Sequence, residues 1–476
     1  MSAGCLLTSL WALPLAGAAL CLFSGRFARV LSVLVSLAAL GLAIAPLVSP
    51  VSAYSAAPWA FGVRYAVGVD GLSLPLIVLT AFLTLIVLLA SRCDSPAAYW
   101  AAFLGLESAL IGVFLVRDLF FFYVFWEAAL IPMFFIIGLW GSENRRHAAL
   151  KFFLFTFAGS VFMLLGFLVL VSRHHQASGV WTWEIEALRS TPMDTATSLA
   201  VFLSFVVGFG VKVPIVPLHT WLPDAHTEAP AGGSVMLAGV MLKMGVYGFL
   251  RIALPVFPQL SWDLLPWLGG IAAVNVIYGA LCAMAQRDLK RLIAYSSVAH
   301  LGFCLLGVFS RTPEGLSGGT LQLINHGLTT GALFLLVGFI YERAHKRGLS
   351  DFGGLVNRAP WLTFFFGFSI FASIGLPGLN GFVGEFMSLA GMTRALPVLA
   401  VAGVVGVTLA AVYALPAFAQ VFWAPPGEGS VSDHVTDLTW RERGLLWALC
   451  VPMLVLGLWP RPLLALIETG VRGLLL

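Results

Sequence analysis

Two lysines and a handful of acids and histidines stand in stretches that have little use for charge. Lys212 follows the apolar run 199–211 and precedes VPIVPL, and Lys243 is in the middle of GGSVMLAGVMLKMGVYGFL. An ammonium group at bilayer depth costs at least ~3 kcal/mol on insertion scales. Glu107, Glu127, His300, His326 and Glu385 fall in similarly apolar surroundings, with no arginine among them. Glu127, in LFFFYVFWEAALIPMFFIIGLW, lies about 12 Å along its helix at a rise of about 1.5 Å per residue. All seven can change protonation state. Burial favours the neutral form of a lysine or a carboxylic acid, and histidine titrates near neutrality. That chemistry suits the movement of protons.

A switch follows from the same physics. A carboxylate within ~4 Å of a buried lysine favours its charged form by about 4 kcal/mol at an effective dielectric of about 20. Withdrawing the carboxylate, or presenting another cation, releases the proton. Glu127 with Lys212 is the candidate pair, although sequence alone does not establish that they touch. Simpler roles compete at several positions. A lone intramembrane histidine often serves only as a hydrogen-bond partner between helices, and Glu107 suits that role equally well. A lysine near a helix end can snorkel to the interface, for which Lys212 is better placed than Lys243. A haem site needs facing histidines on adjacent helices, and the lysines accompanying His300 and His326 argue against it. Asp70 and Asp118, at helix starts, read as caps.

Membrane helices must position these groups. Of the 476 residues, 60% are hydrophobic and 10% charged, whereas about a quarter are charged in soluble domains. The net charge of +4 is spread over many short loops, which leaves no basic patch for a nucleic acid. Cys5, Cys21, Cys93, Cys282, Cys304 and Cys450 form no CxxC pair. Iron–sulfur and structural zinc sites need clustered thiolates, so no metal is expected. MSAGC lacks a basic region, so the run 6–23 is expected to be a first span and not a cleaved signal.

Scanning for spans of about 20 apolar residues predicts an all-α polytopic membrane protein with about fourteen transmembrane helices. Helices one to three occupy 1–93, a first five-helix repeat 97–254, a second 264–422, and the last helix with a short tail 442–476. Helices seven and twelve are broken. FGVKVPIVPLHTWLPDAH carries Pro214 and Pro217, and FASIGLPGLNGFVGEF carries Gly375, Pro377, Gly378 and Gly381. Proline removes a backbone donor and disrupts the helical ladder. The breaks lie five spans apart, as two inverted repeats of five helices require. Paired broken helices in corresponding positions point to an ion path, while the plainer explanation is that Pro and Gly are common in membrane helices. Alternate loops hold fifteen and nine of the 26 Lys and Arg, Lys212 and Lys243 being the other two. The positive-inside rule then places the richer side in the cytoplasm and both termini outside.

Several of these segments resemble a known family. DLFFFYVFWEAALIPMFFIIGLWG, KFFLFTFAGS, VKVPIVPLHTWLPDAHTEAP, LKMGVYGFLR and RDLKRLIAYSSVAHLG are similar to the antiporter-like membrane subunits of respiratory complex I, the bacterial NADH:quinone oxidoreductase. The likeness covers nearly the whole chain and is weakest in the N-terminal region. It implies a paired glutamate at Glu127, a broken-helix lysine at Lys212, a central lysine at Lys243, relay histidines at His300 and His326, and an exit residue at Glu385. Glutamate at the last position resembles the M-type members; L- and N-type members and sodium/proton antiporter relatives typically carry lysine there. The early stop after the last span, without the long lateral helix of L-type members, is similar in sense.

The resemblance implies one proton channel in this chain, driven by quinone reduction elsewhere through a polar axis along the membrane arm. Protons are expected to enter from the cytoplasmic side near Lys212, cross by Lys243, His300 and His326, and leave near Glu385. The implied partners are L- and N-type neighbours, the lipid bilayer and protons, with no nucleic acid. FMN, iron–sulfur clusters and quinone are expected in partner subunits, and no cofactor in this chain. The expected location is the bacterial cytoplasmic (inner) membrane, in multiple passes. A cation/proton antiporter subunit and the membrane subunit of an energy-converting hydrogenase share the motifs. A structural scaffold with an inactive channel would lack the lysines, and both are present.

Overall fold

The computed structural model describes residues 3–48, 53–92 and 94–475. In a hydrocarbon phase backbone N–H and C=O groups must be paired within the segment, so long apolar runs become helices. In chain order come α1 (Ala3–Phe23), α2 (Ala28–Val48), the strands β1 (Ala53–Pro58) and β2 (Arg64–Val69), α3 (Ser73–Ala90) and α4 (Ala97–Leu115). Then follow α5 (Leu119–Trp140), α6 (Arg145–Ser178) and α7 (Thr195–Lys212), continued beyond a non-helical stretch by the short α8 (Trp221–Glu228). The centre of the chain supplies α9 (Ala231–Val256), α10 (Leu265–Met284), α11 (Leu289–Phe309) and α12 (Pro313–Ala344). Last are α13 (Pro360–Ser373), α14 (Asn380–Ala395), α15 (Pro397–Phe422), α16 (Trp440–Leu458) and α17 (Arg461–Leu475).

Twelve of these helices are long and apolar enough to cross a membrane, and the pair α16 and α17, bent by 75°, makes a thirteenth candidate. The expected twelfth span is the pair α13 and α14, each too short to cross alone. The count of about fourteen therefore holds approximately, with the broken span in two halves. Both predicted breaks are present, at 213–220 and 374–379. At the second, Gly375 and Gly378 adopt φ of +73° and +94°, a region in which a side chain is strained.

Two elements go beyond the expected all-helical chain with a short tail. Residues 53–69 form an antiparallel hairpin with Ala56 opposite Ala66. The tail is the amphipathic helix α17. A Cβ on Gly71 would collide with the Leu466 carbonyl, and Gly470 touches Leu72, so α17 lies across the start of α3. At the other end of α3, Arg441 on α16 donates to the carbonyls of Leu89 and Ser91 at 2.9 and 3.0 Å. Cys93 lies outside the described residues, and Cys21, Cys282, Cys304 and Cys450 are in no disulfide.

The helices are not equally buried. The apolar window of α9 is 100% buried and those of α11 and α12 are 94% buried, against 28% for α1 and α2. The centre of the bundle is therefore α9, α11 and α12, which carry Lys243, His300 and His326.

Candidate functional site

The first break exposes backbone groups that a membrane interior cannot solvate, and side chains from outside the break satisfy them. Asn275 on α10 accepts from Val216 N at 2.8 Å and donates to Pro214 O at 3.3 Å. Trp221 Nε1 donates to Val211 O at 2.9 Å. Lys212, the last residue of α7, is 1% exposed. Its Nζ has no hydrogen-bond partner among the described residues and lies over the rings of Trp126 and Phe152, at 5.6 and 5.5 Å. Aromatic faces attract a cation but take no proton from it. Glu127 on α5 faces Ser160 and is near enough to Lys212 for an electrostatic interaction. Its Oε1 is also without a hydrogen-bond partner among the described residues, and no hydrogen bond joins it to Lys212.

The second group is joined by direct contacts. Two π-helical segments, Leu237–Met241 and Phe249–Ala253, flank the turn that carries Lys243. Such bulges leave displaced carbonyls and often mark functional sites. Lys243 Nζ is fully buried, donates to Ala238 O, and lies 2.7 Å from His326 Nδ1. The His326 and His300 rings are 5.7 Å apart between centroids. On its other side, His300 Nδ1 is 3.2 Å from Glu385 Oε1, and its Nε2 is 3.1 Å from Ser373 Oγ. Glu385 also accepts from Gln322 Nε2 at 3.2 Å.

A small cavity of about 10 Å³ is lined by both histidines, Gln322, Asn325, Thr329, Thr330, Ala372 and Ser373, at the lower limit of the size that holds one water. The second break is held as the first is, by asparagine. Asn325 Nδ2 donates to Asn380 O at 2.7 Å and Asn380 Nδ2 to Asn325 O at 3.2 Å.

The two groups are on helices in contact. A Cβ on Gly245, two residues past Lys243, would lie 2.6 Å from Phe209 O and 2.5 Å from Val213 Cγ2, beside Lys212. Glu107 is elsewhere. It is fully buried on α4, where it accepts from Ser36 Oγ at 3.1 Å, and its Oε2 has no partner among the described residues. No set of three or more His, Cys, Asp and Glu among the described residues is gathered as a metal site.

Sequence reasoning missed several polar residues here. His226 on α8 is fully buried, stacked on Phe334 at 4.7 Å, with both ring nitrogens unpartnered among the described residues. Lys290, counted above among loop cations, is 6% exposed and donates to Thr227 O and Ala229 O. A crevice of about 430 Å³, lined by Arg92, Tyr99, Trp140, Glu342 and Arg347, leads from the basic-rich face to Lys290. The available signal was polarity within apolar runs: Asn275, Gln322 and Asn325 interrupt them as plainly as the histidines do.

At the opposite face, ion pairs anchor the helices. Asp70 caps α3 through Leu72 N and Ser73 N, both at 3.0 Å, and also pairs with Arg251 at 2.6 Å and Arg117 at 3.1 Å. Burial alone would raise the Asp70 carboxyl, but Arg251 and Arg117 outweigh it and hold the group well below the usual carboxylate range. Arg251 is on α9, eight residues beyond Lys243, so this knot fixes the helix that bears the central lysine. Asp118 caps α5 through Phe120 N and Phe121 N. Burial pushes its carboxyl up to about 6 against the pull of these donors.

Residues 116–410 match the family model described as NADH:quinone oxidoreductase/Mrp antiporter, TM. An NADH-quinone oxidoreductase subunit M from Rhodobacter capsulatus is 42% identical over 87% of this chain and 83% of its own length. A chain of respiratory complex I from Thermus thermophilus with bound NADH superposes with a TM-score of 0.90 at 36% identity, covering 98% of this chain and 99% of that one. A chain of the Mrp complex from a Dietzia species has a TM-score of 0.88 at 24% identity, over 100% of this chain and 98% of its own, a likeness of fold alone. With the lysines, histidines and broken helices in these positions, the chain belongs to the NADH:quinone oxidoreductase/Mrp antiporter family of transmembrane subunits, alongside relatives named NADH-quinone oxidoreductase subunit M.

Proposed function

We propose that the chain moves protons across a bacterial cytoplasmic membrane as an M-type subunit of an NADH:quinone oxidoreductase, by a relay from Lys243 through His326 and His300 to Glu385. The observation that carries this reading is the pair of close titratable contacts, Lys243 with His326 at 2.7 Å and His300 with Glu385 at 3.2 Å, their histidine rings 5.7 Å apart. Proton transfer needs heavy atoms within about 2.6–3.2 Å, or one bridging water. The two end contacts meet this directly, and the step between the histidines calls for one bridging water at the small cavity that both rings line.

Uptake fits the crevice above Lys290, which reaches the start of α9 at Ala231 and Gly232 from the basic-rich face. Lys212, shielded by Trp126 and Phe152, then acts as a store of charge. When Glu127 moves to within ~4 Å, the ammonium gains about 4 kcal/mol at an effective dielectric of about 20. When Glu127 withdraws, as in the present geometry, the charge is left with aromatic faces and its proton is released. A cation at Lys212 repels one at Lys243 on the adjoining helix, which couples the store to the relay. Glu107 lies off this route and holds α2 to α4 through Ser36.

The driving energy comes from quinone reduction in partner subunits, which hold the FMN, iron–sulfur clusters and quinone, with L- and N-type subunits as neighbours. This chain holds no cofactor of its own. The count of basic residues supports both termini lying outside. Lys212→Ala and Glu127→Ala are expected to abolish coupled pumping in an assembled complex. Full pumping in both variants sinks the proposed store.

A further inference from the structure

A ladder of side-chain amides ties Glu385 to the second break. On α12, Gln322 Nε2 donates to Glu385 Oε1 at 3.2 Å, and Gln322 Oε1 accepts from Asn325 Nδ2 at 3.3 Å. The same Nδ2 donates at 2.7 Å to the carbonyl of Asn380, where α14 begins. All four residues are buried. A carboxylate and a backbone carbonyl only accept, so a charged Glu385 fixes which way both amides face. Asn325 Oδ1 and Asn380 Oδ1 are left without a partner among the described residues.

Close packing on glycine holds the ladder against the break. A Cβ on Gly384, the residue before Glu385, would collide with Gln322 Oε1 and stand 3.0 Å from Asn325 Nδ2. A Cβ on Gly375, within the break, would stand 2.7 Å from Glu385 Oε2. Such packing leaves no space for a side chain to swing away. An amide turned over in place needs none, because its oxygen and its NH2 are nearly alike in size. The titratable groups near Glu385 are His300 and Cys304 on α11 and Tyr413 on α15. Its ion-pair partner among the described residues is His300, with no lysine or arginine to hold it charged.

We propose that Gln322 and Asn325 are positioning residues that release the second break when Glu385 takes up a proton. This rests on the relay described above, which delivers that proton through His300. A protonated carboxyl has an O–H to donate, and Gln322 turns its oxygen to receive it. Gln322 Nε2 then faces Asn325, whose unpartnered Oδ1 turns in to accept. That turn takes Asn325 Nδ2 away from the Asn380 carbonyl and frees the start of α14. Loss of the proton reverses each step. The break is held while Glu385 is charged and loosened while Glu385 is loaded, the state from which the proton leaves.

The test measures backbone amide exchange over residues 374–381 in the assembled complex by mass spectrometry. Glu385→Gln imitates the loaded state, because its amide can donate as the protonated acid does. Loss of one hydrogen bond at the break is expected to raise exchange there about tenfold. Adding Gln322→Met, similar in shape but unable to pass on the turn, is expected to return exchange to the wild-type rate, and Gln322→Met alone to leave it unchanged. Gln322→Leu takes its place if the methionine variant does not assemble. A merely structural Gln322 predicts the reverse, with exchange raised by the single substitution and no rescue in the double. No rise in Glu385→Gln, or an equal rise with and without Gln322→Met, overturns the ladder. Protons pumped per NADH oxidised, measured on the same variants, judge the relay separately: wild-type yield in Glu385→Gln overturns the relay, while the exchange comparison still decides the ladder.

Discussion

His326 is the member of the proposed relay whose loss the geometry makes easiest to quantify. Its Nδ1 is 2.7 Å from Lys243 Nζ, its ring centroid is 5.7 Å from that of His300, and its Nε2 has no partner among the described residues. In His326→Leu an apolar side chain of similar size fills the site and keeps water out. No titratable group then bridges Lys243 and His300, and a direct transfer needs heavy atoms within about 2.6–3.2 Å.

Positioned acid–base groups contribute typically about 10²–10⁴-fold, so transfer through this chain is expected to fall by that order. Stability moves little. Lys243 loses a charge-assisted hydrogen bond of about 1.5–3 kcal/mol, while removal of the unpaired Nε2 returns about 1–3 kcal/mol. The assay is NADH-driven acidification of inverted vesicles, normalised to NADH oxidation, with assembly checked on native gels. His326→Ala serves as comparison, because its smaller side chain admits water or added imidazole, and imidazole is expected to restore part of its yield. A His326→Leu complex that assembles and pumps as wild type refutes the relay through this ring.

Three further outcomes follow from the geometry. Asn275→Leu strands the Val216 amide, which Asn275 now bonds at 2.8 Å. A buried unpaired donor costs about 1–3 kcal/mol, so thermal unfolding of the purified protein should begin at lower temperature, and an unchanged transition counts against the role given to Asn275. Asp118 holds its proton to about pH 6 when folded, against 3.8 ordinarily. Between those values the folded state binds a proton that the unfolded chain has lost, so stability falls by about 3 kcal/mol as pH rises through that window and is flat above it. Asp118→Asn should flatten that slope in melts run from pH 4 to 7. Glu107→Gln keeps an acceptor for Ser36 and is expected to pump at wild-type yield; a loss there would bring Glu107 into the path.

Much of this was legible in the residues because it depends on local geometry. The length and apolarity of each run require a helix in lipid, and the rise per residue sets the depth of Glu127, Lys243 and Glu385. Pro214, Pro217, Gly375 and Gly378 announce the breaks through their own backbone restrictions. The hairpin 53–69 and the helix α17 were less visible, because short amphipathic elements at a membrane surface carry no strong hydropathy signal.

The sequence by itself determined which groups can hold a proton and how deep each lies. It did not determine their order. His300 precedes His326 in the chain, yet His326 meets Lys243 and His300 meets Glu385. Likewise, Lys212 faces Trp126 and Phe152 in place of a bonded carboxylate, and Lys290 is buried where a loop was expected. Depth along a helix is set by its own backbone. Which way a side chain turns, and what it meets, is decided only when α9, α11, α12 and α14 dock, and those contacts join residues up to 85 positions apart.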